Sequence, residues 1–273
     1  MFALLPEGFD PVKLYNDAYF TGTDGYGFND YDLLWSKCCG RFYVPRLTRM
    51  LDFHEAGSLL DIGCAGGQFI TEAQARGWQV AGIEPAPAMR QQAADSLHCT
   101  VFDSIEQALR SGQRFDCVSM FEVIEHLVDP VATLREVAGL LKPGGVIALS
   151  TPNCGRPDAA LGKPINIWFC PPLHISYFDP ATFGRCVRLA GLEPLATDGL
   201  EHYCRAMAGE VVLPEWLVSV LRPIRRGKRL RPHGAIGRLL KRLYKDRVSL
   251  YQRRQPADLS RTDVLELYAS RPG

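Results

Sequence analysis

The run Ser58-Leu59-Leu60-Asp61-Ile62-Gly63-Cys64-Ala65-Gly66-Gly67-Gln68-Phe69 constrains the fold more than any other stretch. A buried strand passes there directly into a small-residue turn that opens a helix. Glycines supply backbone conformations closed to other residues and remove the Cβ that would block a ligand, while a helix starting near Gly67 offers unsatisfied N–H groups. Such a turn lets a ligand approach backbone. Glycine-rich turns of this kind serve nicotinamide dinucleotides and other adenosine ligands alike. Two residues discriminate between them. Asp61 ends the strand just before the first glycine, and a carboxylate there suits a ligand carrying an ammonium group better than a pyrophosphate. Ala65 fits a Gly-x-Gly-x-Gly turn with one conservative replacement and fits Gly-x-Gly-x-x-Gly badly.

Downstream, Gln79 to Ile83 reads as a second apolar strand that ends in Glu84 and Pro85, the acid falling about twenty residues past the first glycine, where a carboxylate meets a ribose diol. Cys99 to Phe102 reads as a third strand, ending in Asp103 and Ser104, and Asp103 would accept from an adenine amino group. A fourth, Phe115 to Met120, runs into Phe121-Glu122-Val123-Ile124-Glu125-His126. All four deliver polar ends to one edge of a parallel sheet, the edge at which open α/β sheets bind ligands. Helical patterns near 67–76, 86–95, 104–111 and 130–141 alternate with these strands. Pro143-Gly144-Gly145 is the turn that launches a fifth strand over 146–150, with a sixth expected over 192–197 and a seventh over 263–270. Asp179-Pro180 is a helix start signal, and 29–53 reads as a helix ahead of the sheet.

At this point the chain resembles the class I S-adenosylmethionine-dependent methyltransferases, in the branch that includes ubiquinone-biosynthesis O-methyltransferases and related small-molecule and sugar methyltransferases. The resemblance is carried by LLDIGCAGGQF (59–69), VAGIEP (80–85), VFDSIE (101–106), FDCVSMFEVIEHLVDP (115–130), LLKPGGVIALSTPN (140–153) and PPLHISYFDPATFGRCVRLAGLEP (171–194). Each motif is degenerate, but six in the family's order are specific. The fold class it implies is α/β: a Rossmann-like doubly wound seven-stranded sheet with an N-terminal helical cap (1–56), a core over 57–200 and 259–273, and a basic helical insertion (201–258) before the last strand. All of it reads as one methyltransferase domain. The resemblance places S-adenosyl-L-methionine with its amino-acid end near Asp61, Gly63, Ala65 and Gly67, its ribose at Glu84 and Pro85, and its adenine at Asp103 and Ser104. Phe121 contributes backbone or ring contact.

Methyl transfer from a sulfonium is an in-line displacement, so the protein must hold donor and acceptor in near-attack geometry. A hydroxyl acceptor also has to lose a proton, to a positioned base or with the help of a metal. If residues 122–127 form a helical turn, Glu122, Glu125 and His126 share one face while Val123, Ile124 and Leu127 turn to the core. His126 is the candidate general base, with Glu125 and His174 as further catalytic candidates. The plant-type small-RNA 2′-O-methyltransferases resemble this chain in a Glu-x-x-Glu-His group and a later His that bind magnesium. Glu122, Glu125, His126 and His174 match that pattern, which implies Mg²⁺ or Mn²⁺. In relatives thought to work without metal, the same acids would serve only to hydrogen-bond backbone, and His174 would orient substrate. His54, His98, His202 and His233 show no partner spacing.

The expected reaction is O-methylation of a small-molecule, glycan or lipid-linked acceptor. Rival readings are an N- or C-methyltransferase, a nicotinamide-dependent oxidoreductase and a non-catalytic adenosine-binding protein. The Gly- and aromatic-rich loop 19–28 reads either as a lid over the cofactor or as an ordered surface loop. The connection 151–178 would shape the acceptor site, its Trp168, Phe169 and Tyr177, with Tyr26 of the first loop, suiting sugars, quinones and polyketides alike.

At 273 residues and 47% hydrophobic, the chain can bury one large core. Its net charge of +1 conceals a basic stretch, Arg222 to Arg254, interrupted by the single acid Asp246. Within 211–254, VVLPEWLVSVL and IGRLLKRL place apolar residues at helical spacing between cations, a pattern of ordinary packed helices and of membrane-surface contact. Nucleic acid is disfavoured, because no recognised RNA-binding module accompanies the charge. No apolar run spans a bilayer and MFALLPEGFDPVK lacks a signal-peptide pattern, so cytoplasmic residence is expected, with peripheral contact to the inner face of a membrane. Nine cysteines without a Cys-x-x-Cys pair read as free thiols.

Overall fold

Strands whose apolar residues run on without alternation need cover on both faces. In the computed structural model, which describes residues 11–15, 19–20, 40–155, 172–200, 259, 262 and 264–273, they form one sheet of seven strands. These are β1 (Ser58–Ile62), β2 (Gln79–Ile83), β3 (Val101–Phe102), β4 (Phe115–Phe121), β5 (Leu141–Pro152), β6 (Glu193–Leu200) and β7 (Val264–Ser270), in the order β3-β2-β1-β4-β5-β7-β6. β1 to β5 pair in parallel, and β7 runs antiparallel between β5 and β6. The doubly wound α/β expectation holds.

Side chains alternate across a strand, so successive residues feed opposite layers. Leu59, Cys117, Val146, Ala148 and Tyr268 pack under Phe42, Tyr43, Leu47 and Met50 of α1 (Gly40–Met50), Phe69 and Ile70 of α2 (Gln68–Gln74), and Ala93 and Leu97 of α3 (Pro87–Leu97). Leu60, Val118, Met120, Ile147 and Leu267 pack on the other face with Ala108 of α4 (Ile105–Arg110), Leu134 and Val137 of α5 (Pro130–Ala138), and Phe183 and Val187 of α6 (Pro180–Leu189). Asp61, two residues beyond Leu59, and Ser119, two beyond Cys117, consequently share the α1–α3 face.

Several boundaries differ from expectation. The third strand keeps only Val101–Phe102, and the Pro143-Gly144-Gly145 turn lies inside the range of β5, where the register with β4 shifts between Phe115 and Cys117. Gly144 takes a φ of 75° there. The helix expected over 29–53 is described from Gly40 to Met50 and contains Pro45. α6 starts where the sequence signals, in a capping box between Asp179 and Thr182. The loop 21–28, residues 156–171 and the basic insertion lie outside the described residues. Among those described, no helix is long and apolar enough to cross a membrane, and Cys64, Cys99, Cys117, Cys154 and Cys186 are free thiols.

Candidate functional site

In this strand order the chain reverses direction across the sheet between β1 and β4, so the crevice at their carboxyl ends is the expected ligand site. The turn after β1 is held there by β2. Gly63 and Cys64 donate to the carbonyl of Ile83 at 2.8 and 3.1 Å, and left-handed backbone recurs at Gly63, Ala65 and Gly67 with φ of 75°, 45° and 87°. A Cβ on Gly63 would stand 2.6 Å from Val123 Cγ2, so the turn after β4 sits directly on the turn after β1.

Glu84 is buried, and its carboxylate accepts the Ala65 N–H at 2.9 Å through Oε2 and the Ala86 N–H at 2.9 Å through Oε1. One side chain thereby fixes both ligand-facing turns; Pro85 links it to Ala86. Asp61 is buried and accepts from Ser119 Oγ at 2.7 Å. Burial pushes its carboxyl up to about 7; the charge of Glu84 adds to this, whereas Ser119 and Arg46 oppose it. Two buried carboxylates thus lie at the carboxyl edge of β1 and β2.

The raised Asp61 carboxyl has a consequence for stability. Because the folded state holds this proton more tightly than the unfolded chain, the stabilisation is complete in acid and lost as pH rises from the ordinary carboxylate range towards 7. The lost part amounts at most to roughly 4 kcal/mol. Asp61→Asn should therefore melt higher than the ligand-free native protein at pH 8 and gain little at pH 5. Equal gains at both values, read by calorimetric melting, would rule the explanation out.

Asp103 is exposed at the end of β3, and Ser104 caps α4 by accepting from Gln107 N–H at 3.2 Å while donating to Asp103 Oδ1 at 2.6 Å. The ring of Phe121 packs at 5.1 Å from Phe69 and lies 4.2 Å from the Arg46 guanidinium.

The segment after β4 is not the helical turn that spacing suggested. Glu122 takes a φ of 56°, Val123 has a non-helical φ of −127°, and only Ile124–His126 form a short 3₁₀ turn. Glu122 therefore leaves the face of its neighbours and accepts from Ser150 Oγ at 2.6 Å. Glu125, His126 and His174 come together instead, with one ligating atom from each within 4.8 Å of the others. The expected four-residue metal set thus reduces to three.

Backbone pairing across distant sequence brings His174 in. The carbonyl of Glu125 accepts from Ile175 and Ser176 N–H at 2.9 Å each, and Ser176 Oγ donates to the Leu127 carbonyl at 3.0 Å. The His126 and His174 rings meet at 4.8 Å. His126 Nδ1 lies 2.7 Å from the Leu173 carbonyl, an acceptor only, so the proton is assigned to Nδ1 and the lone pair to Nε2. Burial and the adjacent His174 push His126 down to about 3, against the backbone carbonyls of Leu173 and Glu122 that favour the charged ring, so the imidazole is neutral. Burial, then Glu122, raises Glu125 far above the usual carboxylate range. Neither of its oxygens has a hydrogen-bond partner among the described residues.

Tyr15, which the sequence did not flag, completes the site together with Tyr19 and Phe20 from the start of the 19–28 loop. Tyr15 places its hydroxyl on His126 Nδ1 and 3.1 Å from the Leu173 carbonyl. Tyr15, Tyr19 and Phe20 stack edge to face at 5.0 and 5.2 Å, and Phe20 packs on Ala65 and Ala86. An aromatic strap thus runs from His126 to the glycine turn, although the loop beyond it lies outside the described residues. Of the acceptor-side aromatics, Tyr177 is buried with its hydroxyl donating to the His174 carbonyl at 2.6 Å; Tyr26, Trp168 and Phe169 are outside the described residues.

A parallel sheet reversing at a glycine turn, with acids at its carboxyl edge, is the architecture of nucleoside-binding α/β enzymes. Residues 37–197 match a family model described as a methyltransferase domain. The chain belongs to that family, as a class I S-adenosylmethionine-dependent methyltransferase. It is 35% identical over 161 residues to a ubiquinone biosynthesis O-methyltransferase of Methylobacterium nodulans, covering 54% of this chain and 64% of that protein. The match therefore spans less than two thirds of that relative's length. Another protein of that name, from Aeromonas salmonicida, is 30% identical over 183 residues, covering 60% of this chain and 76% of its own. In fold the chain is similar to a SAM dependent methyltransferase from Archaeoglobus fulgidus, with a TM-score of 0.54 at 19% identity, over 88% of this chain and 99% of that one.

Proposed function

We propose that this chain methylates a hydroxyl of a small-molecule, glycan or lipid-linked acceptor, with His126 as general base. The observation that carries the reading is the fixed imidazole: Nδ1–H is held at the Leu173 carbonyl under Tyr15, so a neutral Nε2 is the proton acceptor. S-adenosyl-L-methionine, when bound, supplies an electrophilic methyl carbon. Asp61 meets its ammonium group, Glu84 its ribose hydroxyls, and Asp103 with Ser104 its adenine, while the turn through Gly63, Ala65 and Gly67 gives it backbone approach. His174 orients the acceptor hydroxyl beside His126. The relatives named for ubiquinone biosynthesis support an oxygen acceptor, and the cations of 211–254 would suit a lipid-linked one.

A second reading attaches to Glu125. A buried carboxyl with both oxygens unsatisfied beside two imidazoles fits a divalent cation, Mg²⁺ or Mn²⁺, which would ionise it and acidify a bound hydroxyl. Glu125, His126 and His174 would hold the ion, with Glu122 turned away to Arg46 and Ser150.

Calorimetry should show S-adenosylhomocysteine binding and no response to NAD. A labelled-methyl assay on catechols, sugars and amines, with and without EDTA, should label hydroxyls. Transfer only to amines or carbon would displace the O-methyl reading, and undiminished transfer in EDTA would remove the cation.

A further inference from the structure

One buried cation stands behind the turn that follows β4. Arg46, on α1, is 2% exposed, an unusual burial for a guanidinium unless it is fully paired. Its Nε donates to Glu266 Oε1 of β7 at 2.7 Å, and its Nη2 donates to Ser150 Oγ of β5 at 3.2 Å and lies 3.7 Å from Glu122 Oε1. Glu266 is fixed in turn by the Tyr268 hydroxyl at 3.2 Å. The Ser150 hydroxyl is fully committed: it also donates to Glu122 Oε1 at 2.6 Å and accepts the Glu122 N–H at 3.1 Å. The guanidinium covers the ring of Phe121.

These contacts converge on the corner where β4 ends. Glu122 adopts left-handed backbone there, a conformation that non-glycine residues keep only when their surroundings impose it. Ser150, held by Arg46, grips Glu122 by both backbone and side chain.

We propose that Arg46 is a positioning residue for the turn after β4: it fixes the Glu122 corner from which Glu125 and His126 project. The inference rests on the reading of His126 as general base above. The groups facing Arg46 are Glu266, Glu122 and Ser150.

The test uses the full chain, single-turnover methyl transfer, and the imidazole resonance of His126, assigned by its loss in His126→Ala. In Arg46→Met, the transfer rate should fall about tenfold, the scale of one charge-assisted interaction. The His126 resonance should shift or broaden. Arg46→Lys keeps the charge without the fork, so it should leave the resonance displaced. Arg49→Met breaks a comparable 2.7 Å pair with Asp198 one turn along α1 and should lower the melting temperature while moving neither readout. A native transfer rate and resonance in Arg46→Met, or equal effects from Arg49→Met, would overturn the proposal. Should Arg46→Met not fold, Arg46→Lys decides: an undisturbed His126 resonance refutes it. A native transfer rate in His126→Ala would instead overturn the base reading.

Discussion

His126→Ala should lower kcat by about 10²- to 10⁴-fold, the range for losing a positioned base, and leave S-adenosylhomocysteine affinity within about twofold. The two effects separate because the imidazole lies on the turn after β4, whereas the donor contacts proposed here belong to the turns after β1, β2 and β3. Folding should survive, since Tyr15 keeps its second bond, to the Leu173 carbonyl. Tyr15→Phe removes the hydroxyl from Nδ1 but leaves Leu173 to hold the tautomer, so its loss in kcat should be smaller. Single-turnover measurement of labelled methyl transfer, with binding followed separately, checks both. A His126→Ala enzyme with native kcat would dismiss the base, and a Tyr15→Phe loss as large as that of His126→Ala would mean that Tyr15, rather than Leu173, holds the ring.

The contrast between these two residues also marks what the sequence could reveal. His126 was visible because it follows an apolar strand in a run of acids, and strand ends are local features. The same locality exposed Asp61, Glu84 and the glycine turn, whose three left-handed residues fall where small side chains stand. Tyr15 carried no signal, since its partner lies 111 residues away and an aromatic in an N-terminal segment has many possible uses. Glu122 was misplaced for a related reason. Helical spacing put it beside Glu125 and His126, but Ser150 and Arg46, both distant in sequence, turn the backbone left-handed and carry the side chain away. His174 depended on pairing of the 173–176 segment with the Glu125 carbonyl, which no periodicity encodes. The strands were easy to place because burial on both faces writes itself as an uninterrupted apolar run.

Glu84 separates two explanations of an acid at the end of a strand. If it were a solvated terminus, replacing it with alanine would change neither stability nor donor affinity. Its carboxylate, however, is the acceptor for two N–H groups, of Ala65 and Ala86, in positions closed to water. Glu84→Ala should leave both unsatisfied, at about 1–3 kcal/mol each, so the melting temperature of the ligand-free protein should fall markedly. Donor affinity should fall further than stability alone requires, by roughly 10²-fold, because the variant loses the ribose acceptor and the geometry of Ala65, which is left-handed without being glycine. Glu84→Gln provides the internal comparison. Its carbonyl can keep one N–H, but its amide nitrogen is a donor facing the other, so it should lie between the native protein and alanine in both measurements. If glutamine matches the native protein in S-adenosylhomocysteine affinity, the negative charge contributes nothing to the ribose contact and Glu84 serves the turns alone. If glutamine is as weak as alanine while melting near the native temperature, the charge acts on the ligand rather than on the fold.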